Sequence, residues 1–156
     1  MILGASAAPQ PLVILALEGG RLVALDAMTG QPVWEVAGPV EAGSLRHLGV
    51  RGGTLIATTT VPFPGYVAAY DVNTGSQRWS VASQNGSATL APIAISFDDS
   101  TAFVAFTNGV IGAYGLASGQ EMWFRRPPSG AFSGTAAISH DTLFIAGSEG
   151  AYAIAK

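Results

Sequence analysis

The chain has 156 residues, a length that suits one ordinary domain. Apolar residues make up 49% of it, while charged residues reach only 11%, against roughly 25% in average globular proteins. The mild net charge of −3 and the lack of a basic patch argue against nucleic-acid binding. No apolar run is long enough to span a bilayer, and the absence of cysteine rules out disulfides and thiolate sites. A chain with so few charged residues has little polar material to cover its surface. We expect part of that surface to contact another subunit or another part of a larger protein.

The predicted elements are short strands separated by glycine-rich or polar turns. In chain order they cover residues 12–17, 21–26, 33–36, 44–50, 54–60, 66–72, 77–82, 91–97, 101–106, 110–116, 121–125, 135–139, 143–146 and 151–155. Residues 1–6 are apolar enough to form one further strand, which could complete a last blade. The first group lacks room for a full innermost strand, and the last group lacks an outermost one.

One segment occurs three times and begins a fourth time. Trp34, Trp79 and Trp123 follow one another at intervals of 45 and 44 residues, a period that is typical of propellers and repeat arrays. The repeat units cover about residues 11–38, 44–82, 90–126 and 132–156. We therefore predict an all-β fold, a β-propeller of four-stranded antiparallel blades with about three and a half to four blades per chain. Residues 1–156 would form this single domain or part-propeller.

The recurring residues suit a turn followed by a packed strand. In Asp-x-x-Thr-Gly-x-x-x-Trp, the aspartate can accept hydrogen bonds from N–H groups of the turn, and the glycine supplies a positive φ. The tryptophan brings a large apolar area and one N–H donor that needs an acceptor. The residues of this motif are Asp26, Thr29, Gly30, Trp34, Asp71, Thr74, Gly75, Trp79, Gly119 and Trp123; in the third repeat Gly115 and Ser118 replace the aspartate and the threonine.

This motif resembles the repeat of the pyrroloquinoline-quinone (PQQ)-like β-propellers, the quinoprotein alcohol dehydrogenase-like superfamily, over nearly the whole chain. The resemblance implies that each tryptophan docks between neighbouring blades. The quinoprotein enzymes of the family bind PQQ and calcium, with an aspartate base, acidic or amide ligands and often a disulfide of adjacent cysteines. This chain has no cysteine and only ten acidic residues, of which Asp26 and Asp71 are explained by turns. We predict no catalytic residue, no cofactor and no metal.

Two pairs of titratable residues invite a site but have simpler explanations. Asp98-Asp99 is the densest acidic pair, and it falls in a polar turn where aspartate is favoured for local reasons. His140-Asp141 occupies the matching turn of the next repeat, and no motif places a nucleophile beside it. Arg125-Arg126 is interpreted as a charged edge that blocks unwanted strand pairing.

Three residues are candidate channel or rim contacts. Arg46 and His47 lie on a first-strand segment, which lines the central channel in propellers, although a solvated channel wall explains them as well. Phe63, flanked by prolines, would project from a loop as a contact residue or lie under its own loop.

The resulting prediction is a non-enzymatic binding or scaffolding module that mediates protein assembly or ligand sensing. The alternative is a fragment of a PQQ- and calcium-dependent quinoprotein dehydrogenase. Because each blade buries its faces against two neighbours, about three and a half blades would leave two apolar faces, unless the short end blades suffice to close a tight four-bladed ring. We expect a protein partner or a second copy to complete the propeller, giving a homo-oligomer or a subunit of a larger assembly. The resemblance favours an extracytoplasmic location, periplasmic or secreted.

Overall fold

The fold is built entirely of strands in the residues that the structure describes. A computed structural model of the chain describes residues 10–39, 45–59, 65–83, 93–106, 108–127, 132–140, 142–148 and 150–155. The strands are β1 (Leu12–Leu17), β2 (Arg21–Asp26), β3 (Pro32–Ala37), β4 (Leu45–Arg51), β5 (Thr54–Thr59), β6 (Tyr66–Asp71), β7 (Gln77–Ala82), β8 (Ala94–Ile95), β9 (Thr101–Ala105), β10 (Ile111–Gly115), β11 (Glu121–Arg125), β12 (Phe132–Ser139), β13 (Thr142–Gly147) and β14 (Gly150–Ala155). Within those ranges there is no helix of the length and apolarity that crossing a membrane requires.

The strands form four antiparallel sheets, and in each sheet consecutive strands are neighbours. We number the sheets as blades: blade 1 is β1-β2-β3, blade 2 is β4-β5-β6-β7, blade 3 is β8-β9-β10-β11, and blade 4 is β12-β13-β14. The inner strands β4, β8 and β12 contact each other in sequence, so that the blades follow one another around a common axis. The predicted all-β propeller with four-stranded antiparallel blades is thus confirmed.

Blades 1 and 4 are each one strand short in the described residues. In blade 1 the tryptophan strand β3 is outermost, and β1 lies two strands inward from it, as β5 and β9 do in blades 2 and 3. No described strand pairs with the inner edge of β1. β14 corresponds to β6 and β10, and no outermost strand pairs with it. Within the described residues, β1 and β14 therefore each have one unpaired edge, as the repeat pattern predicts. The further strand expected at residues 1–6 lies outside the described residues.

Three apolar cores lie between the blades, because each strand puts alternate side chains on opposite faces of its sheet. The first core joins blades 1 and 2 through Leu22, Leu55, Ala57, Ala68 and Tyr70. The second joins blades 2 and 3 through Ile56, Val67, Ala69, Val104 and Tyr114, among others. The third joins blades 3 and 4 through Phe103, Ile111, Ala113, Leu143 and Ile145, among others. Adjacent residues such as Leu55 and Ile56 enter different cores, which explains why the second strand of a blade is apolar throughout.

Two predicted strands differ from the observed ones by more than one residue at an end. The strand expected at 91–97 is described only as Ala94–Ile95, and Phe97 lies in a turn with 54% of its surface exposed. It ends there because the Ser96 hydroxyl accepts hydrogen bonds from the N–H groups of Ser100 and Thr101, which folds the chain back. The strand expected at 135–139 begins earlier, at the buried Phe132, whose ring fills the core between blades 3 and 4.

Candidate functional site

The turn before each tryptophan strand is built by an aspartate in blades 1 and 2. Asp71 Oδ1 accepts hydrogen bonds from the N–H groups of Asn73 and Thr74 at 3.0 and 3.1 Å. In blade 1, Asp26 Oδ1 accepts from two N–H groups of its turn, both at 2.7 Å. These carboxylates are therefore engaged in local structure.

Both aspartates are held in the ionised form. The Arg78 guanidinium, 2.7 Å from Asp71 Oδ2, is the main cause that lowers the pKa of Asp71 below its ordinary value. The pKa of Asp26 is lowered mainly by a hydrogen bond from the side chain of Gln10, with help from the turn N–H groups. A carboxylate with a lowered pKa is a poor general base at neutral pH, so neither residue suits proton abstraction.

Each tryptophan of blades 1 and 2 reaches the next blade. Trp34 Nε1 donates to the Val72 carbonyl at 3.1 Å, and Trp79 Nε1 donates to the Leu116 carbonyl at 2.9 Å. Both acceptors lie one residue after the end of the third strand of the receiving blade. The indole N–H thus finds the acceptor that burial demands, and the bond fixes the rotation of one blade against the next.

The turn glycine of the receiving blade lies against the indole. A Cβ added at Gly75 would be 2.7 Å from Cε3 of Trp34, and one added at Gly119 would be 2.6 Å from Cδ2 and Cε3 of Trp79. Ordinary carbon–carbon contacts are about 3.5–4.0 Å. The glycine therefore serves two purposes at once: it permits a positive φ and leaves room for the ring.

Trp123 packs differently in what is described. Its ring lies 5.9 Å from that of Phe103 in the core between blades 3 and 4, and the Arg125 guanidinium lies 4.8 Å above it. Arg125 thus covers the ring of Trp123. The sequence predicts only that Arg125 lies at an exposed strand edge. Such a cation–π contact at an exposed site contributes about 0.5–1 kcal/mol.

A cluster that sequence reasoning missed joins the rim of blades 2, 3 and 4. Arg51, at the end of β4, donates from Nε to Asp99 Oδ1 at 2.6 Å and from Nη2 to the Phe97 carbonyl at 3.1 Å. Its guanidinium lies 4.5 Å from the centre of the Phe97 ring, which in turn lies 6.3 Å from the ring of His140. The residues of the cluster come from the turns between the first and second strands of blades 2, 3 and 4. In the sequence, only the equivalence of these turns between repeats indicates that they lie close together.

The predicted channel and rim contacts remain predictions. His47 is half-buried on the inner strand β4 and takes part in an interaction. The side chain of Arg46 and the whole of Phe63 lie outside the described residues. Of the acidic and histidine pairs, Asp98 and Asp99 lie in the predicted turn, while Asp141 lies outside the described residues beside His140.

The described residues bring together no group of three or more histidine, aspartate or glutamate side chains that could hold a metal ion. Two buried tyrosines are also unsuited to acid–base work at neutral pH. Burial raises the pKa of Tyr70 to about 12. Burial likewise raises the pKa of Tyr114 to about 12.

The two end faces of the blade array are apolar and exposed. On blade 1, Val13 and Leu15 are 45% and 40% exposed, while Leu55 and Ala57, at the same positions of blade 2, are fully buried. On blade 4, Phe144 is 46% exposed, although the equivalent Phe103 is buried between two blades. The end faces therefore carry residues that form cores elsewhere in this chain.

Each open sheet edge borders a groove. One, of about 490 Å³, lies along β14 and is lined by Arg125, Arg126, Pro127 and residues 152–155. The other, of about 420 Å³, is lined by residues of β1 and β4, with Gln10, Val72 and Asn73. A sheet edge can pair with the main chain of another strand, and the groove beside it can take apolar side chains. Both features suit recognition of another protein.

Comparison with known proteins agrees with this architecture. The sequence model of the family described as "Outer membrane protein assembly factor BamB" matches residues 3–155. The chain belongs to this family. It is 30% identical over 128 residues to the BamB of Burkholderia pseudomallei, a match that covers 77% of this chain and 32% of that protein.

Solved structures show the same fold. The BamB of Moraxella catarrhalis superposes with a TM-score of 0.68 at 24% identity, covering 92% of this chain and 42% of that one. A quinohemoprotein alcohol dehydrogenase from Pseudomonas putida HK5 has a TM-score of 0.71 at 19% identity, covering 92% and 31%. Together with the family match over residues 3–155 and the BamB relative, this confirms the PQQ-like repeat that the motif predicts. The chain spans about a third of the length of the curated BamB relative.

Proposed function

We propose that this chain is a non-enzymatic, protein-binding set of propeller blades that takes part in outer membrane protein assembly, on the extracytoplasmic side. Membership of the BamB family, whose description names an assembly factor, supports the process. The observation that carries the binding role is the pair of apolar end faces, each beside a strand edge that is unpaired in the described residues.

The occupant that fits an end face is another blade of the same repeat. Val13 and Leu15 repeat the positions of Leu55 and Ala57, which pack against a neighbouring blade in this chain. Phe144 repeats the position of Phe103, which packs against blade 4. A face that carries core positions and few charges is stabilised by burial rather than by water. The two faces therefore join this chain to further blades.

The same residues argue against the dehydrogenase alternative. The aspartates of the motif are occupied in turns, and the described residues offer no cluster of metal ligands. The described end faces offer apolar contact and unpaired strand edges, which suit docking rather than catalysis. We therefore assign the chain a scaffolding role.

The experiment replaces Phe144 by glutamate in the gene of the source organism and measures the amount of folded outer membrane β-barrel proteins. We expect the Phe144→Glu strain to show the same deficit as a deletion strain, because a charge on this face opposes burial. Met122→Glu is the matched control, since Met122 is an equally exposed apolar residue, 56%, on the outermost strand of blade 3. Normal barrel levels in a deletion strain, or equal effects of both substitutions, would overturn the proposal.

A further inference from the structure

Two adjacent arginines lie at the end of β11, the outermost strand of blade 3. Both Arg125 and Arg126 are exposed. Because side chains alternate along a strand, Arg125 lies on the same face as Trp123 and places its guanidinium 4.8 Å from the centre of that ring. The cation–π contact holds the Arg125 side chain in a defined position beside the start of Arg126.

This pair differs in charge balance from the other arginines whose side chains the structure describes. Each of those forms an ion pair with a carboxylate; they are Arg21, Arg51 and Arg78. Among the described residues, no carboxylate forms an ion pair with Arg125 or Arg126. Glu121 begins the same strand, but four residues separate it from Arg125, about 13 Å along a strand. That distance exceeds the screening length of about 8 Å at physiological salt, so the two positive charges are not compensated locally.

A third groove, of about 290 Å³, lies beside the pair. It is lined by Val110, Phe124, Arg125 and Arg126, and we call it the arginine groove. Val110 belongs to the core between blades 2 and 3, and Phe124 packs against that core. The groove therefore combines two guanidinium-bearing residues with one apolar wall, and it lies apart from the two end faces of the blade array.

The apolar wall of the arginine groove is held rigidly. The ring of Phe124 meets that of Tyr114 edge-on, with centroids 6.1 Å apart, and lies 6.2 Å from the ring of Phe106. A Cβ added at Gly112 would be only 2.7 Å from Phe124 Cε1, so the ring lies directly against the main chain of β10. A ligand that enters the groove therefore meets a surface that needs little ordering, which favours binding.

The size and the chemistry of the groove restrict what it can hold. Its volume is at the lower limit of small-molecule sites, which range over about 300–1,000 Å³, so it suits one or two side chains better than a large cofactor. The planar guanidinium group binds carboxylates through paired hydrogen bonds. The neighbouring ring of Phe124 takes an apolar side chain. Arginine and aromatic residues together are typical of the energetically dominant contacts in protein interfaces.

We propose that the arginine groove docks an acidic segment of a partner protein, in which a carboxylate side chain pairs with Arg125 and Arg126 and an adjacent apolar side chain covers Phe124. This inference rests on the proposed function, because it names the partner chemistry of a protein-binding module. It also gives the arginine pair a purpose beyond the blocking of strand pairing that the sequence predicts.

The test uses NMR of the purified, isotope-labelled chain with a synthetic probe. The probe is the capped peptide acetyl-Gly-Asp-Leu-Glu-Gly-amide, and its control has asparagine and glutamine in place of the two acidic residues. We expect saturable shifts of the Val110 and Arg126 amides at millimolar peptide, with binding of the control about tenfold weaker or absent. Equal binding of both peptides, or tighter binding of inorganic phosphate than of the acidic peptide, would overturn the proposal.

Two matched substitutions locate the effect. Arg126→Gln removes one charge from the groove, while Arg21→Gln removes one charge from an exposed arginine of blade 1 that is paired with Glu35. We expect the Val110 shift to weaken about tenfold or disappear in Arg126→Gln and to persist in Arg21→Gln. Unchanged amide signals of Gly75 and Gly119 check that each variant keeps the fold. Peptide binding that survives Arg126→Gln, with self-association as the only effect, would favour the blocking of strand pairing and overturn the groove.

The outcomes also separate the groove from the proposed function. If Phe144→Glu impairs barrel assembly in cells while Arg126→Gln binds the peptide as the parent chain does, the assembly role stands and the arginine groove fails. If peptide binding requires Arg126 but barrel levels do not depend on the protein, the groove stands as a contact and the assembly role fails.

Discussion

Substituting alanine for the turn glycine in three blades separates the strain of the backbone from the crowding of the indole. Gly30, Gly75 and Gly119 share φ values within 2° of one another, so the cost of placing an L side chain in this left-handed region, about 1 kcal/mol, is common to all three. Only the second and third face an indole in the described structure. The difference between the variants therefore isolates the contact with the neighbouring blade.

The expected size of that difference follows from the distances. A Cβ at Gly75 would lie 2.7 Å from Trp34 Cε3, about 1 Å inside ordinary contact. The ring must shift, which costs about 1–3 kcal/mol when a packed site is overfilled. We expect Gly30→Ala to lower the free energy of unfolding by about 1 kcal/mol, and Gly75→Ala or Gly119→Ala by about 2–4 kcal/mol.

Urea unfolding of the three variants, followed by tryptophan fluorescence, measures these values, provided that the slope m stays constant. Equal losses at all three positions would refute the reasoning, because they would show that the indole yields without cost. A larger loss at Gly30 than at Gly75 would also contradict it, since no described atom crowds Gly30.

Three further predictions concern acid stability, cofactors and mass. The pKa of Asp71 is below its ordinary value of 3.8, mainly because of Arg78. The ionised carboxylate therefore stabilises the fold above pH 3.8, and this stabilisation is lost as the pH falls through the folded-state pKa. Because Arg78→Met removes the main cause of the shift, this variant should show a smaller drop in Tm between pH 6 and pH 3 than the parent chain. PQQ with calcium in large excess should leave Tm unchanged, and a rise would favour the dehydrogenase alternative. Light scattering should give a mass above one chain that falls in Phe144→Glu; a stable monomer of the parent chain would count against docking between copies.

Strand order and the blade motif could be predicted because they depend on local chemistry. Alternating apolar residues, the Asp-x-x-Thr-Gly turn and the spacing of Trp34, Trp79 and Trp123 each act within one repeat. The incomplete end blades follow from counting strands in the same way. This information suffices for the fold, which many sequences with the same pattern share.

The repeat register indicates that the three turns of the rim cluster are equivalent, but the contacts between them could not be predicted, because they depend on how the blades rotate against one another. Arg51 and Asp99 are 48 residues apart and meet only because the first turn of blade 2 overlies that of blade 3. Phe97 was expected inside a strand, yet the hydroxyl of Ser96 ends that strand and exposes the ring to Arg51. A change of a few degrees between blades would separate these groups without altering any local pattern.

The third repeat shows which part of the motif the docking depends on. Gly115 stands where blades 1 and 2 have aspartate, so no carboxylate orders that turn, yet the N–H of Gly119 still bonds to the Gly115 carbonyl at 2.8 Å. Trp79 still docks there, with the shorter of the two indole bonds, 2.9 Å to Leu116. Main-chain closure and the absence of a Cβ are therefore enough to receive an indole, and the aspartate only reinforces the turn.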